Sequence, residues 1–276
     1  MKTVENKLSV ASSAALLLSV VRSLYTDGWG HDYLSRIDFS AVEKPAAELT
    51  RITPLFSEIL LLRKQMVRYL IKQLMIEHPH QQVCILAAGL DPLGLQIAEY
   101  FPEQLTSIYE IDTCHMQEKQ ALYAAVSYND ARLHTLHADI THTKEMMEML
   151  MAAGYRPQEP TLIVFEGIMH YIPEEHFLRV MRCFCSKVRN NAVIMDYTLP
   201  EEEMPSSYIS LARALSEVME NNMVYSRKKV LNLLSLLEAE VAGVYDMQAT
   251  EFVLHGYNKW FRGRGEGLLE MAAFHI

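Results

Sequence analysis

The chain is poor in cysteine, in tryptophan and in positive charge. Its 276 residues include 4 cysteines and 2 tryptophans. Cys84, Cys114, Cys183 and Cys185 form no C-x-x-C pair, which argues against a zinc site of the usual spacing. Four cysteines in so long a chain build no disulfide scaffold, and a reducing, cytoplasmic setting is expected. His134, His137 and His142 have no ligand-like grouping with cysteine or carboxylate, so no metal is expected. Lys and Arg number 25 against 34 Asp and Glu, a formal charge of −9. A phosphate-backbone binder normally carries a basic face, so nucleic acid is not an expected partner, and anionic membranes are disfavoured too.

Long apolar runs are also missing. The nearest is Leu8 to Val21, LSVASSAALLLSVV, behind Lys2 and Lys7. It falls short of the roughly 20 apolar residues that span a bilayer. It imitates a signal-peptide core, yet it leads into Arg22 with no small-x-small cleavage site, and it reads as an N-terminal helix packed on the core. There is no internal repeat and no G-x-G-x-x-G, which speaks against a nicotinamide-dependent oxidoreductase.

What is present is an ordinary globular composition, 50% hydrophobic and 21% charged. Residues 5–24 read as a helix, 26–53 as irregular (Gly28, Gly30, Pro45), and Pro54 to Glu77 as an amphipathic helix with Leu55, Ile59, Leu62, Met66, Leu70 and Leu74 on one face. From residue 82, strand and helix alternate. Strands are expected at Val83–Ala87, Ser107–Ile111, Arg132–His137, Leu162–Phe165 and Ala192–Tyr197, and helices at Leu93–Tyr100, to about Val126, Thr143–Ala153 and Pro173–Val188. The tail adds a helix at Ser226–Ala239 and strands at Val241–Met247 and Leu268–Ile276. The pattern predicts an α/β fold with about seven mostly parallel strands covered on both faces. Residues 1–80 form a helical extension or lid, 81–276 the core, and 199–225 a helical insertion, together one structural domain. Met146, Met147, Met149 and Met151 read as core filling.

In open α/β sheets, ligands bind beyond the carboxyl ends of the strands. The residues there are Gly89 and Asp91 in AAGLDPLG, Glu110 and Asp112 in YEID, Asp139 in HADI, Glu166, Gly167, His170 and Tyr171 in FEGIMHYIP, and Asp196 in MDYTLP. Every end carries an acid and none carries Lys or Arg. A phosphate-rich ligand would be repelled, whereas a nucleoside with free hydroxyls finds acceptors. Asp112 follows Gly89 by 23 positions, near the spacing of a ribose-binding acid after a glycine turn. S-adenosylmethionine, a nucleoside with a sulfonium and no phosphate, fits this pattern better than NAD or ATP.

The series AAGLD, YEID, HADI, FEGIMHYIP resembles the leucine carboxyl methyltransferase family and its bacterial O-methyltransferase relatives over about residues 8–198. The resemblance implies a Rossmann-like class I methyltransferase fold, S-adenosylmethionine as cofactor and S-adenosylhomocysteine as product. It implies that Arg63 pairs with the methionyl carboxylate and that Gly89 forms the turn beneath it. Asp112 becomes the ribose ligand, with Glu110 on the same strand face. Asp139 and Ile140 contact adenine, Glu166 lines the cofactor site, and Tyr171 lies on the substrate side. Two departures stand out: Ala87 replaces the first turn glycine, and Pro92 follows Asp91 where threonine is usual, without the arginine that often comes next.

The expected activity is methyl transfer to a carboxylate or hydroxyl of a small molecule or peptide. A carboxylate needs no base; a hydroxyl does, and His170 and Tyr171 are the candidates. Segments 26–53 and 199–225 would cover the acceptor. The alternative is a non-catalytic relative that binds the nucleoside as a sensor or assembly partner.

Overall fold

The computed structural model describes residues 7–52, 54–77, 81–127, 130–219 and 223–276. Residues 5 and 6 of the expected first helix and 220–222 of the expected insertion lie outside the described residues. The chain opens with an N-terminal layer: β1 (Leu8–Ser9), α1 (Ser13–Val21), α2 (Gly28–Leu34), β2 (Ile37–Asp38), α3 (Ser40–Ile52) and α4 (Phe56–Glu77). β1 pairs in parallel with β2. Then follow β3 (Gln82–Leu86), α5 (Leu93–Tyr100), β4 (Ser107–Asp112), α6 (Met116–Val126), β5 (Leu133–His137), α7 (Thr143–Ala152), β6 (Thr161–Phe165), α8 (Glu174–Arg182), β7 (Ala192–Thr198), α9 (Ser206–Met219), α10 (Arg227–Leu236), β8 (Glu240–Asp246), α11 (Met247–His255) and β9 (Leu269–His275).

One seven-stranded sheet carries the fold, in the order β5-β4-β3-β6-β7-β9-β8. β3 to β7 are parallel; β9 runs antiparallel between β7 and β8. β3 and β6 are buried along their whole length, the mark of a strand covered on both faces. The order reverses between β3 and β6, which opens a crevice at their carboxyl ends. Among the described residues no helix is long and apolar enough to cross a membrane.

α1 is fixed by Ser12, whose hydroxyl accepts the Ala15 N–H, and by the burial of Ala15, Leu16, Leu18 and Val21. Each buried Leu or Val stabilises by about 1.5–3 kcal/mol, so the run that imitates a signal core packs here as a helix. It starts at Ser13, later than the sequence pattern suggests, because Leu8 and Ser9 are taken by the short pairing with β2.

Two expectations are corrected. Residues 26–52 are not irregular: they hold α2 and α3, the latter with Pro45 inside it, and residue 53 lies outside the described residues. The buried faces of Tyr33 and Leu34, and of Val42, Ala46 and Leu49, outweigh the loss of one N–H to proline. The helix expected to reach Val188 ends at Arg182. The following turns tighten to i→i+3 bonds, as from the Cys183 N–H to the Val180 carbonyl, and the Asn191 side-chain amide takes the Phe184 carbonyl at 2.6 Å.

Candidate active site

The β3–α5 turn is built on left-handed backbone. Ala87 has φ 47° and Gly89 φ 51°. A Cβ on Gly89 would meet nothing within 4 Å, so the turn faces open space. The Gly89 N–H donates to Asp112 Oδ2 at 2.8 Å, and the Cys114 N–H to Asp112 Oδ1 at 2.9 Å. Asp112 thus ties β4 to the turn, and each of its oxygens keeps a lone pair. Ala87 tolerates a conformation that disfavours a Cβ. Ala87→Gly is therefore expected to stabilise the fold by about 1 kcal/mol, measured by denaturant unfolding; a loss of stability would show that the Ala87 methyl packs more than it strains.

Across the crevice, the turn after β6 is closed by Gly167 (φ 72°), whose N–H donates to Asp196 Oδ1 at 2.5 Å. Between the two turns α4 inserts two cations. Arg63 meets Glu166 at 3.2 Å and Asp196 at 3.4 Å. Lys64, 3% exposed, meets Glu166 at 2.6 Å and also pairs with Asp91. Asp91 in turn accepts the Tyr25 hydroxyl at 2.5 Å. Burial alone would raise the Asp91 carboxyl, but the Lys64 ammonium outweighs it and holds the group below its ordinary value. Burial would lower the Lys64 pKa, but its two carboxylate partners raise it. Counted by formal charge, the three carboxylates Asp91, Glu166 and Asp196 against the two cations Arg63 and Lys64 leave one negative charge in surplus.

A cavity of about 120 Å³ lies here, lined by Arg63, Lys64, the turn 85–91, Glu166, Gly167 and Tyr171, and roofed by Ala14, Leu17, Leu18 and Val21 of α1. The structure thus gathers Arg63, Ala87, Gly89, Asp91, Glu166 and Tyr171 from the expected set around one space. Asp112 clamps the turn from the neighbouring strand. Asp139 lies after β5, its Oδ1 accepting the Thr141 N–H at 2.8 Å and hydroxyl at 2.7 Å. Ile140 is 6% exposed and offers only an edge. Glu110 is sealed at 1% exposure, taking the Gly94 N–H at 3.0 Å and pairing with Lys119 at 2.9 Å. It braces α5 from beneath and does not line the cavity.

His170 is 5% exposed, and its Nε2 has no partner among the described residues. Its ring lies 4.3 Å from that of Tyr171. Burial, aided by the Arg63 charge, lowers its pKa to about 4, so the imidazole is neutral at pH 7. In the unfolded chain it takes a proton near pH 6.5. Unfolded molecules therefore gain protons first as pH falls from about 6.5 to 4, and stability is lost in that window by roughly 1 kcal/mol per pH unit. Denaturant unfolding from pH 4.5 to 7.5 should show this slope in the native chain and a shallower one in His170→Gln. Parallel slopes would mean that water reaches the ring.

Lys64 is the site residue that the strand-end pattern missed. The rim has no cation of its own, as the sequence shows, but α4 supplies two from outside the sheet.

The parallel order with a reversed strand inserted near one edge, and a crevice at β3/β6, is the arrangement of class I methyltransferases. The Leucine carboxyl methyltransferase family model matches residues 12–185, and the chain belongs to that family. It is 31% identical over 103 residues to a protein of Parafrankia sp. provisionally named an S-adenosyl-L-methionine-dependent methyltransferase. That match covers 37% of this chain and 32% of the relative, so the chain spans about a third of the curated proteins it matches. In structure it is similar to a DUF574 family protein from Streptomyces avermitilis, with TM-score 0.69, 13% identity, and coverage of 96% of this chain and 97% of that one. It is also similar to the geranyl diphosphate C-methyltransferase of Streptomyces coelicolor, solved with S-adenosyl-L-homocysteine, with TM-score 0.54, 13% identity, and coverage of 96% and 99%.

Proposed function

We propose that the protein is an S-adenosylmethionine-dependent O-methyltransferase acting on a carboxylate or hydroxyl of a small molecule or peptide. The observation that carries this reading is the buried cluster at the β3/β6 crevice, with its surplus of one negative charge beside a cavity. A phosphate-bearing ligand would be repelled there. A zwitterionic amino acid attached to a sulfonium carries net charge +1 and neutralises the cluster.

The residues fit such a ligand part by part. Arg63 and Lys64 face a carboxylate, and Asp91 and Glu166 an ammonium. Asp112 has lone pairs for ribose hydroxyls beyond the two backbone N–H groups that it holds. Asp139 and Ile140 stand at the end of the next strand, on the adenine side. The enclosed volume of about 120 Å³ suits the amino-acid end. It is below the ~300 Å³ of an ordinary small-molecule pocket, so the nucleoside end would lie in the open groove beside β4 and β5. The bound cofactor supplies an electrophilic methyl on sulfur. The chain's part is to align the acceptor oxygen with it and exclude water, which contributes about 7–11 kcal/mol in favourable cases. The α1 roof and Tyr171 do the excluding. For a hydroxyl acceptor, His170 and Tyr171 are the candidate bases: Tyr171 lines the cavity, while His170, whose Nε2 has no partner among the described residues, packs against its ring. The reading includes a cytoplasmic location, supported by four free cysteines.

Calorimetric titration tests it. The native chain should bind S-adenosylmethionine at one equivalent, and Asp139→Ala should bind roughly tenfold more weakly. Identical isotherms would remove Asp139 from the site, and no binding to the native chain would remove the reading itself. With a methyl-labelled donor, a carboxylate acceptor yields an ester that releases methanol in dilute alkali, whereas an ether retains the label. Binding without turnover over a broad acceptor panel would favour a sensor.

A further inference from the structure

A second opening lies between α4 and α5, a cavity of about 570 Å³ walled by Arg68, Tyr69, Lys72, Gln96, Tyr100 and Phe101. Only Leu93 lines both this space and the cofactor cavity, so the two are distinct. Its volume is that of an ordinary small-molecule pocket. Its chemistry is unlike the rest of the surface. In a chain of net charge −9, the lining holds two cations, amides and aromatic rings, and no carboxylate.

Gln96 gives its Nε2 to the Tyr100 hydroxyl at 3.5 Å, but other polar atoms of the wall have no partner among the described residues. Gln96 is only 8% exposed, and its Oε1 accepts nothing from the described residues. The Arg68 guanidinium lies 4.2 Å from the Tyr25 ring centre and gives Nη1 to the Leu24 carbonyl at 3.0 Å, while its Nε and Nη2 have no hydrogen-bond partner among the described residues. These atoms are themselves shielded from solvent, so they lend the cleft polarity from beneath its wall rather than an open bonding position. Tyr100 is 66% exposed at the end of α5, although its ring would gain by contact.

We propose that the α4/α5 cleft is a binding site for an amphipathic aromatic anion. The ring system packs among Tyr69, Tyr100 and Phe101, and the acidic group faces the field of Lys72 and Arg68. A cleft between two helices suits a compact ligand better than the flat face of a second copy, which would need about 800 Å² per partner for a stable interface.

The probe is 8-anilinonaphthalene-1-sulfonate, read by fluorescence on the full chain. It should bind saturably at one equivalent. Lys72→Glu and Tyr100→Ser should each weaken it at least about fivefold, with thermal midpoints unchanged because both side chains are exposed. The uncharged N-phenyl-1-naphthylamine should bind at least about fivefold more weakly. Saturating S-adenosylmethionine should leave the anion in place. Isotherms indifferent to both substitutions, or displacement by S-adenosylmethionine, would overturn the proposal. So would a dimer in light scattering that Tyr100→Ser dissolves, since a second copy would then cover the cleft.

Discussion

Lys64→Met is expected to lower the free energy of unfolding by about 3–5 kcal/mol, the cost of leaving buried carboxylates without their cation. Lys64 holds Asp91 from one lip of the crevice and Glu166 from the other, at 3% exposure. Without it the two acids repel each other across the cavity, and S-adenosylmethionine binding should fail together with stability. Lys64→Arg restores the charge and should recover most of both. The effect has a pH signature. Asp91 titrates below its ordinary value in the fold, so its contribution is complete above about pH 4 and is lost as pH falls through the lower, folded value. The gap between native chain and Lys64→Met should therefore narrow in acid. Equal unfolding midpoints at pH 7 would mean that desolvation of the cluster cancels its attraction.

Asp112→Ala is expected to weaken S-adenosylmethionine at least about 100-fold, close to 3 kcal/mol, while the fold survives. Two hydrogen bonds from ribose hydroxyls to a carboxylate would contribute on that scale. The substitution also frees the Gly89 and Cys114 N–H groups, both near solvent, so the cost in stability is smaller. Asp112→Asn keeps an acceptor and should fall between. A large loss of stability with unchanged affinity would make Asp112 a clamp for the turn and nothing more.

Much of the sheet was legible because its strands are short apolar runs at regular intervals, and the residues just past them are where such folds bind ligands. That rule pointed to Asp91 and Glu166, which line the cavity, and to Asp112 and Asp196, which tie its two turns. It also pointed to Glu110, which does not line the cavity. Two residues before Asp112, Glu110 shares its face but sits one pleat deeper, about 7 Å back along the strand, under α5. Lys64 was hidden for the opposite reason. It lies on a helix whose apolar spacing signals packing, and nothing in that spacing shows that its ammonium spans from Asp91 to Glu166, 102 positions away. The helices of 28–34 and 40–52 were hidden by Gly28, Gly30 and Pro45, whose local preferences give way to the burial of Tyr33, Val42 and Leu49.

The placement of β9 between β7 and β8 bears on how the molecule is made. Residues 269–275 bridge two strands that do not touch each other. While the chain emerges from the ribosome, β7 and β8 wait with open edges until these residues appear. An unpaired edge of this kind invites pairing with another nascent chain. Chaperone protection would matter most for molecules stalled before residue 269, and slow translation of that stretch would show up as aggregates rather than as a folded but weakened protein.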